Sequence, residues 1–287
     1  MTTGTDGSSQ AAPGSAVRSY AGRTAVVTGA GSGIGRALCL ELGRLGADVA
    51  LSDIRLEDAQ ETAAAVRSLG VRAEAYEVDV ADRDAVFAHA AQVAETFGAV
   101  HLVVNNAGVA LHGDVEALRE QDMRWLMDIN YWGVVHGSQA FLPLLADSGG
   151  QLANVSSVFG LVSIPGQAAY NAAKFAVRGF TEALRQECQL DGGKVAVSCI
   201  HPGGVRTAIA RNARVNSPSE RAQLVGAFDR VARTSPEAAA RAILRGLARD
   251  RPRILVGPDA WLLAALPRFL GARYGQLTAR GSRRLGL

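Results

Sequence analysis

Apolar and polar positions alternate along the chain in two distinct ways. Seven short runs rich in β-branched and other apolar residues are typical of strands; they lie at 24–28, 48–53, 71–80, 100–104, 151–156, 194–200 and 253–256. Longer segments with apolar residues at helical spacing lie between them, at 36–45, 56–69, 82–97, 114–145, 170–189 and 236–249. Strands that alternate with helices of this length predict parallel βαβ units, with helices covering both faces of the sheet.

The composition is that of an ordinary globular protein. The 287 residues are 48% apolar and 20% charged, and the net charge of +3 is too small to indicate nucleic-acid binding. The three cysteines are widely spaced and form no redox or metal motif, so we expect a reducing, cytoplasmic location and no metal site. Gly, Ser, Thr and Ala dominate residues 1–19, which we predict to be a disordered lead-in to one domain over 20–257.

Residues 258–287 are predicted to form a basic and apolar extension of that domain. From residue 249 onward the chain has eight Arg against two Asp, a net charge of +6. The apolar run 261–266 is followed by Pro267, which we expect to break a helix there. We predict that the extension packs on the domain or on a neighbouring subunit, and a contact with a membrane surface is the alternative.

A glycine-rich segment, Gly29-Ala30-Gly31-Ser32-Gly33-Ile34-Gly35, follows the first predicted strand and precedes a helix. In this context glycines allow a tight turn and let a pyrophosphate approach the backbone, while the helix N-terminus offers unpaired N–H groups. The segment therefore predicts a dinucleotide site. Asp79 and Asn105-Asn106-Ala107-Gly108 end the third and fourth predicted strands, at the edge of an open α/β sheet where ligands bind.

Asp53 ends the second predicted strand, where a carboxylate can accept hydrogen bonds from the adenosine 2′-hydroxyl. The same carboxylate would repel a 2′-phosphate, which favours NAD over NADP. Arg36 and Arg55 are candidate partners for such a phosphate, so NADP stays open as the less favoured cofactor.

A second set of residues can carry acid–base chemistry. Tyr170 and Lys174 are four residues apart, so in a helix they share one face, and an ammonium beside a phenol should lower the phenol pKa. Ser157 lies upstream and could hold a substrate oxygen. Asn130, inside a predicted helix, is either retained for a polar task or simply exposed. A Tyr-x-x-x-Lys motif alone also occurs on ordinary solvated helices.

Taken together, these motifs resemble the short-chain dehydrogenase/reductase family, from about Tyr20 to Gly257. The resemblance rests on Thr28-Gly29-x-x-x-Gly33-x-Gly35, Asp79, Asn105 to Gly108, Asn130, Ser157, Tyr170-x-x-x-Lys174 and Pro202-Gly203-x-x-x-Thr207. It implies a single doubly wound Rossmann domain of the α/β class, with a mostly parallel seven-stranded sheet in the order 3-2-1-4-5-6-7. It also implies hydride transfer between a nicotinamide cofactor and a secondary alcohol or ketone.

The resemblance also assigns roles to individual residues. The catalytic set is Asn130, Ser157, Tyr170 and Lys174, with Tyr170 as general acid and base and Asn130 holding a water that links Lys174 to solvent. The implied cofactor contacts are Gly29, Ser32, Gly33, Ile34, Gly35, Asp53, Asp79, Val80, Asn106, Ala107, Gly108, Tyr170, Lys174, Pro202, Gly203, Val205 and Thr207. Residues 207–233 are the implied substrate lid.

The family also implies a homodimer or homotetramer, and we predict that the Tyr170 helix contributes Ala172, Ala173, Ala176 and Phe180 to the interface. Two other functions are compatible with much of the pattern. One is an NADP-linked biosynthetic ketoreductase, which would share the fold and the acid–base residues. The other is a dinucleotide-sensing regulator without turnover, which would have no need of Ser157, Tyr170 and Lys174 together.

Overall fold

The computed structural model describes residues 19–285, so the predicted lead-in lies almost entirely outside the described residues. The predicted seven strands form one sheet in the order β3-β2-β1-β4-β5-β6-β7, which confirms the fold class. Every neighbouring pair is parallel, so the sheet is entirely rather than mostly parallel. The strands are β1 Thr24–Thr28, β2 Asp48–Asp53, β3 Ala73–Glu77, β4 Leu102–Asn105, β5 Gln151–Val155, β6 Ala196–Pro202 and β7 Arg253–Val256.

Ten α-helices connect or follow these strands in the described residues. They are α1 Gly33–Arg44, α2 Leu56–Arg67, α3 Arg83–Phe97, α4 Glu120–Met127, α5 Gly133–Ser148, α6 Ala168–Leu190, α7 Pro218–Val231, α8 Pro236–Ala248, α9 Pro258–Leu270 and α10 Tyr274–Leu285. No helix among residues 19–285 is long and apolar enough to span a bilayer.

The sheet is covered on both faces because its strand residues alternate in direction. Ala25 and Val27 of β1 point into a core formed with α1, α2 and α8, whereas Val26 points into a second core formed with α3, α5 and α6. The first strand is thus buried on both sides, which explains its continuous apolar run.

The topology places the site. From β1 the chain winds outward through β2 and β3, and from β4 it winds the other way to β7, so β1 and β4 are neighbours at the switch point. The loops that leave the carboxyl ends of β1, β4, β5 and β6 meet at this edge, where open α/β sheets bind ligands. These loops carry the predicted motifs.

The segment predicted as one helix over 114–145 is divided in the structure, so this prediction was wrong in detail. A 3₁₀ turn at Val115–Ala117 comes first, then α4, a π-helical turn at Asp128–Trp132, and α5. The π turn contains Asn130, whose side chain is fully buried. Such turns widen the helix by one residue, and here the widened turn is the one that carries a predicted site residue.

Proline 267 does not break the helix, contrary to the prediction. Helix α9 continues through Pro267 and ends at Leu270, and α10 begins shortly afterwards. A proline removes one backbone donor but keeps a helical φ, which a helix tolerates close to its end. Other bounds shift as well: for example, α1 begins at Gly33, β3 is shorter than 71–80, and β6 extends to Pro202.

Candidate active site

The glycine segment lies directly against the loop that follows β4. Gly29 has a φ of +64°, and a Cβ at this position would be 2.9 Å from the Ala107 Cα atom. Gly33 has a φ of +53°, and its added Cβ would be 3.1 Å from the Thr207 Cγ2 atom. At both positions glycine supplies a left-handed conformation and the missing side chain leaves a backbone-lined cradle. The cradle opens at the N-terminus of α1.

Thr28, the last residue of β1, joins the two loops. Its hydroxyl oxygen accepts hydrogen bonds from the backbone N–H groups of Asn106 and Ala107, both at 3.0 Å. The Asn106 side-chain amide donates in return to the Thr28 carbonyl at 2.8 Å. The loop after β4 is therefore fixed to the glycine segment by side-chain to backbone bonds. Sequence reasoning placed Thr28 in a motif but gave it no role.

Of the two acidic residues predicted at strand ends, Asp53 ends its strand, whereas Asp79 lies two residues beyond the end of β3. Asp53 closes β2, and its carboxylate accepts hydrogen bonds from the Gly31 N–H at 2.9 Å and from the Arg55 N–H at 3.1 Å. The Arg55 guanidinium pairs with Asp58 at 2.5 Å. Asp79 accepts from the Ala81 N–H at 2.9 Å and is exposed. Asp53 therefore borders the glycine segment, and no Arg or Lys among residues 19–285 forms an ion pair with its carboxylate.

Ser157, Tyr170 and Lys174 come together at the carboxyl end of β5. Ser157 follows β5, and its hydroxyl oxygen accepts from the Phe159 N–H at 3.1 Å. The Ser157 hydroxyl is near enough to the Tyr170 hydroxyl to act on its pKa. Lys174 is 3% exposed, and its ammonium nitrogen donates to the Val155 carbonyl at 3.0 Å and lies 5.7 Å from the Tyr170 ring centroid. Each of the three side chains therefore has a defined position.

The pKa shifts of this group do not follow the sequence-based expectation. Burial raises the pKa of Tyr170 to about 12, and the Ser157 hydroxyl opposes part of that rise. Burial also lowers the pKa of Lys174 to about 8. The prediction that Lys174 lowers the Tyr170 pKa is wrong for the free protein, because desolvation is the larger effect at both groups. The free protein therefore holds the phenol in its neutral, proton-donating form.

His201, which sequence reasoning left without a role, contacts the backbone of Ser157. His201 lies in β6 and is fully buried, and its Nδ1 atom is 2.8 Å from the Ser157 carbonyl. Burial lowers the pKa of His201 to about 4, so the ring is neutral at ordinary pH and donates its Nδ1 proton to that carbonyl. A histidine that pairs with a backbone atom leaves no signal in the sequence.

Asn130 contacts Val109 with both ends of its side-chain amide. The oxygen accepts from the Val109 N–H at 2.8 Å and the nitrogen donates to the Val109 carbonyl at 2.9 Å. A Cβ on Gly108 would lie 3.1 Å from the Asn130 oxygen and 3.5 Å from the Lys174 nitrogen. The side chain of Asn130 is thus committed to the loop after β4, where it keeps the space around Gly108 open.

The loop after β6 is held from the C-terminal extension. Asp259, in the first turn of α9, accepts a hydrogen bond from the Gly204 N–H at 2.6 Å, and Gly203 donates its N–H to the Val256 carbonyl at 2.9 Å. Val205 is buried and bridges Thr234. Gly203, Val205 and Thr207 therefore lie in one fixed loop directly after Pro202, the last residue of β6, and this loop contacts the glycine segment through Thr207.

The outer side of Tyr170 is apolar. Tyr170 packs against a cluster whose members come from the loop after β4 and from the predicted lid, namely Ala110, Ile209, Ala210, Ala213, Val215, Leu224, Val225 and Phe228. Helix α7 supplies the last three of these residues. The segment 207–233 thus covers the predicted catalytic tyrosine with small and large apolar side chains.

An ion pair attaches this segment to the domain. Arg214 donates to the buried Asp122 of α4 at 2.8 Å, and its guanidinium lies 3.6 Å from the centroid of the Trp125 ring. The backbone of Arg214 also pairs with Leu111. Asp122 binds Arg119 as well, at 2.7 Å, and the two arginines hold the pKa of the Asp122 carboxyl below its usual value against the opposing effect of burial.

Comparison with known proteins identifies the family. Residues 23–217 match the family described as short chain dehydrogenase. The chain belongs to the short-chain dehydrogenase/reductase family. SadH of Mycobacterium tuberculosis is 47% identical to it over 265 residues, which cover 92% of this chain and 96% of SadH.

Solved structures of the family agree in fold. A short-chain dehydrogenase/reductase from Burkholderia phymatum in complex with NAD has a TM-score of 0.81 at 30% identity, covering 88% of this chain and 95% of that one. An alcohol dehydrogenase from the archaeon Thermococcus sibiricus, complexed with 5-hydroxy-NADP, has a TM-score of 0.68 at 28% identity, covering 81% and 93%. The chain is thus an oxidoreductase of this family, and its neighbours include proteins bound to either type of cofactor.

One predicted interface residue faces inward. Ala173 is fully buried and packs with Leu111 and Leu126, so it does not belong to the outer face of α6. Ala172 and Phe175 are exposed, whereas Phe180 is half-buried against the core. The helix turns Ala173 inward because Ala169 and Ala173, four residues apart, form its core-facing stripe. Self-association through the rest of this face stays a prediction.

Proposed function

We propose that this oxidoreductase interconverts a secondary alcohol and a ketone, with Tyr170 as the general acid and base and NAD(H) as the preferred cofactor. The observation that carries the proposal is the convergence of Ser157, Tyr170 and Lys174 at the carboxyl end of β5. The three groups lie beside the loops of the glycine segment and of Thr207, at the edge where the family binds its cofactor.

The residues present fit a nicotinamide dinucleotide. The Gly29 and Gly33 cradle leaves backbone N–H groups and space for a pyrophosphate at the start of α1. The remaining predicted contacts are residues at or shortly after the carboxyl ends of β1, β2, β3, β4 and β6, which is consistent with this proposal: Ser32, Ile34, Gly35, Asp53, Asp79, Val80, Asn106, Ala107, Gly108, Pro202, Gly203, Val205 and Thr207. When bound, the cofactor supplies or accepts the hydride.

Each of the four predicted catalytic residues then has a specific role. Tyr170 donates its phenolic proton to the carbonyl oxygen during reduction and takes it back during oxidation. Ser157, whose hydroxyl is near that of Tyr170, orients and polarises the same oxygen. Lys174 presents its ammonium beside Tyr170 and stabilises the phenolate that forms when the proton leaves. Asn130 positions the loop of Gly108, and the proposed water that links Lys174 to solvent would bind next to this residue rather than on its occupied side-chain amide.

The lid side of Tyr170 limits the substrate. Ala110, Ile209, Ala213 and Phe228 form an apolar cluster with Tyr170, so the groups that surround the phenol on this side carry no charge. Burying a charged substrate group there without a partner would cost several kcal/mol, on the order of the penalty for an unpaired buried ion. We therefore assign the substrate to neutral, apolar alcohols and ketones.

Cofactor choice follows from β2 and the residue after it. Asp53 borders the glycine segment, and Ile54, which follows, is 60% exposed and carries no charge for a 2′-phosphate. The Arg55 guanidinium is paired with Asp58. These contacts support NAD(H). The NADP-linked ketoreductase is the second candidate. Arg36 directly follows the glycine segment and forms no ion pair among the described residues, so its guanidinium is a candidate partner for a 2′-phosphate.

The test is a rate assay with both cofactors. Purified protein is offered apolar secondary alcohols and ketones together with matched analogues that carry a carboxylate. We expect turnover of the apolar members with NAD(H) and at least about tenfold lower kcat/KM for the carboxylates, the effect of about 1.4 kcal/mol. Tight binding of NADH without turnover of any member would instead support the dinucleotide-sensing regulator.

A further inference from the structure

Helix α9 has one buried face and one exposed apolar face. Ala260 is fully buried against the domain. Trp261, Leu262 and Phe269 are 59%, 67% and 80% exposed. Positions i, i+1 and i+8 lie on the same side of a helix, so the three large side chains form one patch. A contiguous apolar patch of this kind marks an interaction surface more often than single exposed residues do.

A basic groove adjoins this patch. A cavity of about 340 Å³ lies between α8, β7 and the start of α9, and Trp261 forms part of its wall. Its charged lining consists of Arg245, Arg249 and Arg251. All three are exposed, and none of them takes part in an ion pair with another residue in the part of the chain that the structure describes. We call the groove and the three apolar side chains together the α9 surface.

The charge around the α9 surface is mainly positive, and Asp250, between Arg249 and Arg251, is paired with Arg185. Asp259 is the only acidic residue between 258 and 285, and its carboxylate is bound to the Gly204 N–H. Four exposed arginines follow it, at Arg268, Arg273, Arg280 and Arg283. A second copy of this chain placed face to face would bring these arginines against their own kind, which disfavours a symmetric dimer here. An anionic lipid bilayer offers both phosphates and an apolar interior.

We propose that the α9 surface docks on an anionic phospholipid bilayer. Trp261, Leu262 and Phe269 enter the headgroup and acyl boundary, and Arg245, Arg249 and Arg251 bind lipid phosphates. An exposed tryptophan beside arginines and other large apolar residues is the composition of helices that lie in the membrane interface. The sequence predicts that this segment packs on the domain or on a neighbouring subunit; Ala260 packs on the domain, and the Trp261 face of the single chain is exposed.

The surface is held firmly beside the active-site loops. The Tyr274 hydroxyl of α10 accepts a hydrogen bond from the Ser163 N–H at 3.2 Å, in the loop that joins Ser157 to Tyr170. Asp259 holds the loop after β6. Docking would therefore place the substrate entrance close to the bilayer, where apolar alcohols and ketones partition. This consequence rests on the proposed function, whereas the docking itself does not.

Vesicle flotation of the full chain tests the docking without any substrate. We expect the protein to float with vesicles that contain phosphatidylglycerol, to bind pure phosphatidylcholine much more weakly, and to lose binding as salt is raised. The triple variants Trp261→Ser/Leu262→Ser/Phe269→Ser and Arg245→Glu/Arg249→Glu/Arg251→Glu should each weaken binding at least about tenfold. All six side chains are outside the core, and circular dichroism verifies that each variant is folded.

Matched controls come from exposed residues elsewhere. Leu190→Ser removes a leucine that is 90% exposed at the end of α6, and Arg124→Glu reverses an exposed charge on α4. Both should float as the wild type does. Absence of flotation at low salt, or equal flotation of the two triple variants and the controls, would overturn the proposal. A drop in molar mass by light scattering in the apolar triple variant would also overturn it and assign the patch to a second copy of the chain.

Discussion

The two sides of the active site are held together by different kinds of contact. On the cofactor side the backbone is one partner in each contact: a Cβ on Gly29 would press on the Ala107 backbone, and the Thr28 hydroxyl accepts hydrogen bonds from two N–H groups of the neighbouring loop. On the substrate side, side chains from distant segments carry the structure, as in the pair of Arg214 and Asp122, 92 residues apart. The cofactor side therefore depends on residue types with no freedom to change, and the substrate side on partners that can be exchanged in pairs.

This difference explains why the family can be predicted from the sequence while the substrate cannot. A cradle made of backbone demands glycine at fixed spacing, and fixed spacing is visible in a sequence. An apolar cover demands only that its volume is filled, which many combinations of side chains achieve. The two sides should accordingly respond separately to mutation.

The largest effect in this comparison is expected from Gly35→Ala. A Cβ at Gly35 would collide with the Gly29 carbonyl and lie 2.7 Å from the Asn106 amide nitrogen. Relieving the collision must shift the cradle, at about 1–3 kcal/mol, so NADH affinity should fall about tenfold to hundredfold. Titration of NADH by fluorescence measures it. Gly226→Ala, a helical glycine of α7 with open space around it, should bind NADH normally; equal loss in both variants would refute the cradle.

The preference between NAD(H) and NADP(H) is a second test of the cofactor side. We expect kcat/KM for NAD(H) to exceed that for NADP(H) at least about tenfold, because like charges at about 4 Å repel by several kcal/mol. The double variant Asp53→Ala/Ile54→Arg should narrow or reverse that ratio in steady-state assays. Asp48→Ala, at the other end of β2, is the control and should leave the ratio unchanged. A wild type that prefers NADP(H) would contradict the assignment of Asp53.

On the substrate side, Arg214→Ala should act on KM alone. It leaves the buried Asp122 with one arginine and frees the segment that covers Tyr170. We expect the KM of an apolar ketone to rise about tenfold, equivalent to about 1.4 kcal/mol, with unchanged NADH affinity. Arg211→Ala, in the same segment but with only a 3.9 Å contact to Asp229, should have little effect. Weaker NADH binding in Arg214→Ala would show that the two sides are not separable.

The smallest expected effect is on the free energy of unfolding and concerns Lys174, which lies between the cofactor side and the substrate side. Lys174 has a pKa of about 8 in the folded chain against 10.5 for an ordinary lysine. Between these values the unfolded chain binds more protons, so the free energy of unfolding rises with pH; as pH falls back through this window, that stability is lost. Lys174→Met should remove this pH-dependent loss, which amounts to about 3 kcal/mol in the free energy of unfolding. The variant also leaves the Val155 carbonyl without its donor, which offsets about 1–3 kcal/mol of that gain.

Thermal unfolding midpoints from pH 7 to 10.5 check this. As pH rises through that range, the unfolding midpoint of the wild type should increase relative to that of the Lys174→Met variant. Lys194→Met replaces an exposed lysine and should follow the wild type at every pH. Parallel curves for wild type and Lys174→Met would mean that burial does not lower the Lys174 pKa.

The sequence predicted the fold well because the strands that set it are local patterns. The apolar runs predicted all seven strands, whereas their order in the sheet was implied by the family resemblance. Ser157, which follows β5, and Tyr170 and Lys174 of α6 converge as their positions in the fold require. The π turn at Asn130 was not predictable, since it depends on the amide of Asn130 reaching Val109 in another loop. The same holds for His201 and Asp259, whose partners are backbone atoms far away in sequence.

The pKa values also lay beyond the sequence, because they depend on how deeply Tyr170 and Lys174 are buried. Spacing alone placed an ammonium near a phenol and predicted a lowered pKa. The fold buries both groups, and desolvation then raises the Tyr170 pKa to about 12. The direction of a pKa shift is set by the surroundings of the group and not only by its nearest charge.

The central claim is that Tyr170 exchanges the proton with the substrate oxygen. Tyr170→Phe removes the hydroxyl and keeps the packing of the ring against Phe159 and the apolar cluster. In a single-turnover experiment with saturating NADH and an apolar ketone that the wild type reduces, the variant should react at least about 100-fold more slowly, with unchanged NADH affinity. Tyr76→Phe, a tyrosine packed against His89, should react at the wild-type rate. A Tyr170→Phe rate within about tenfold of the wild type would assign the proton to another group and contradict the account.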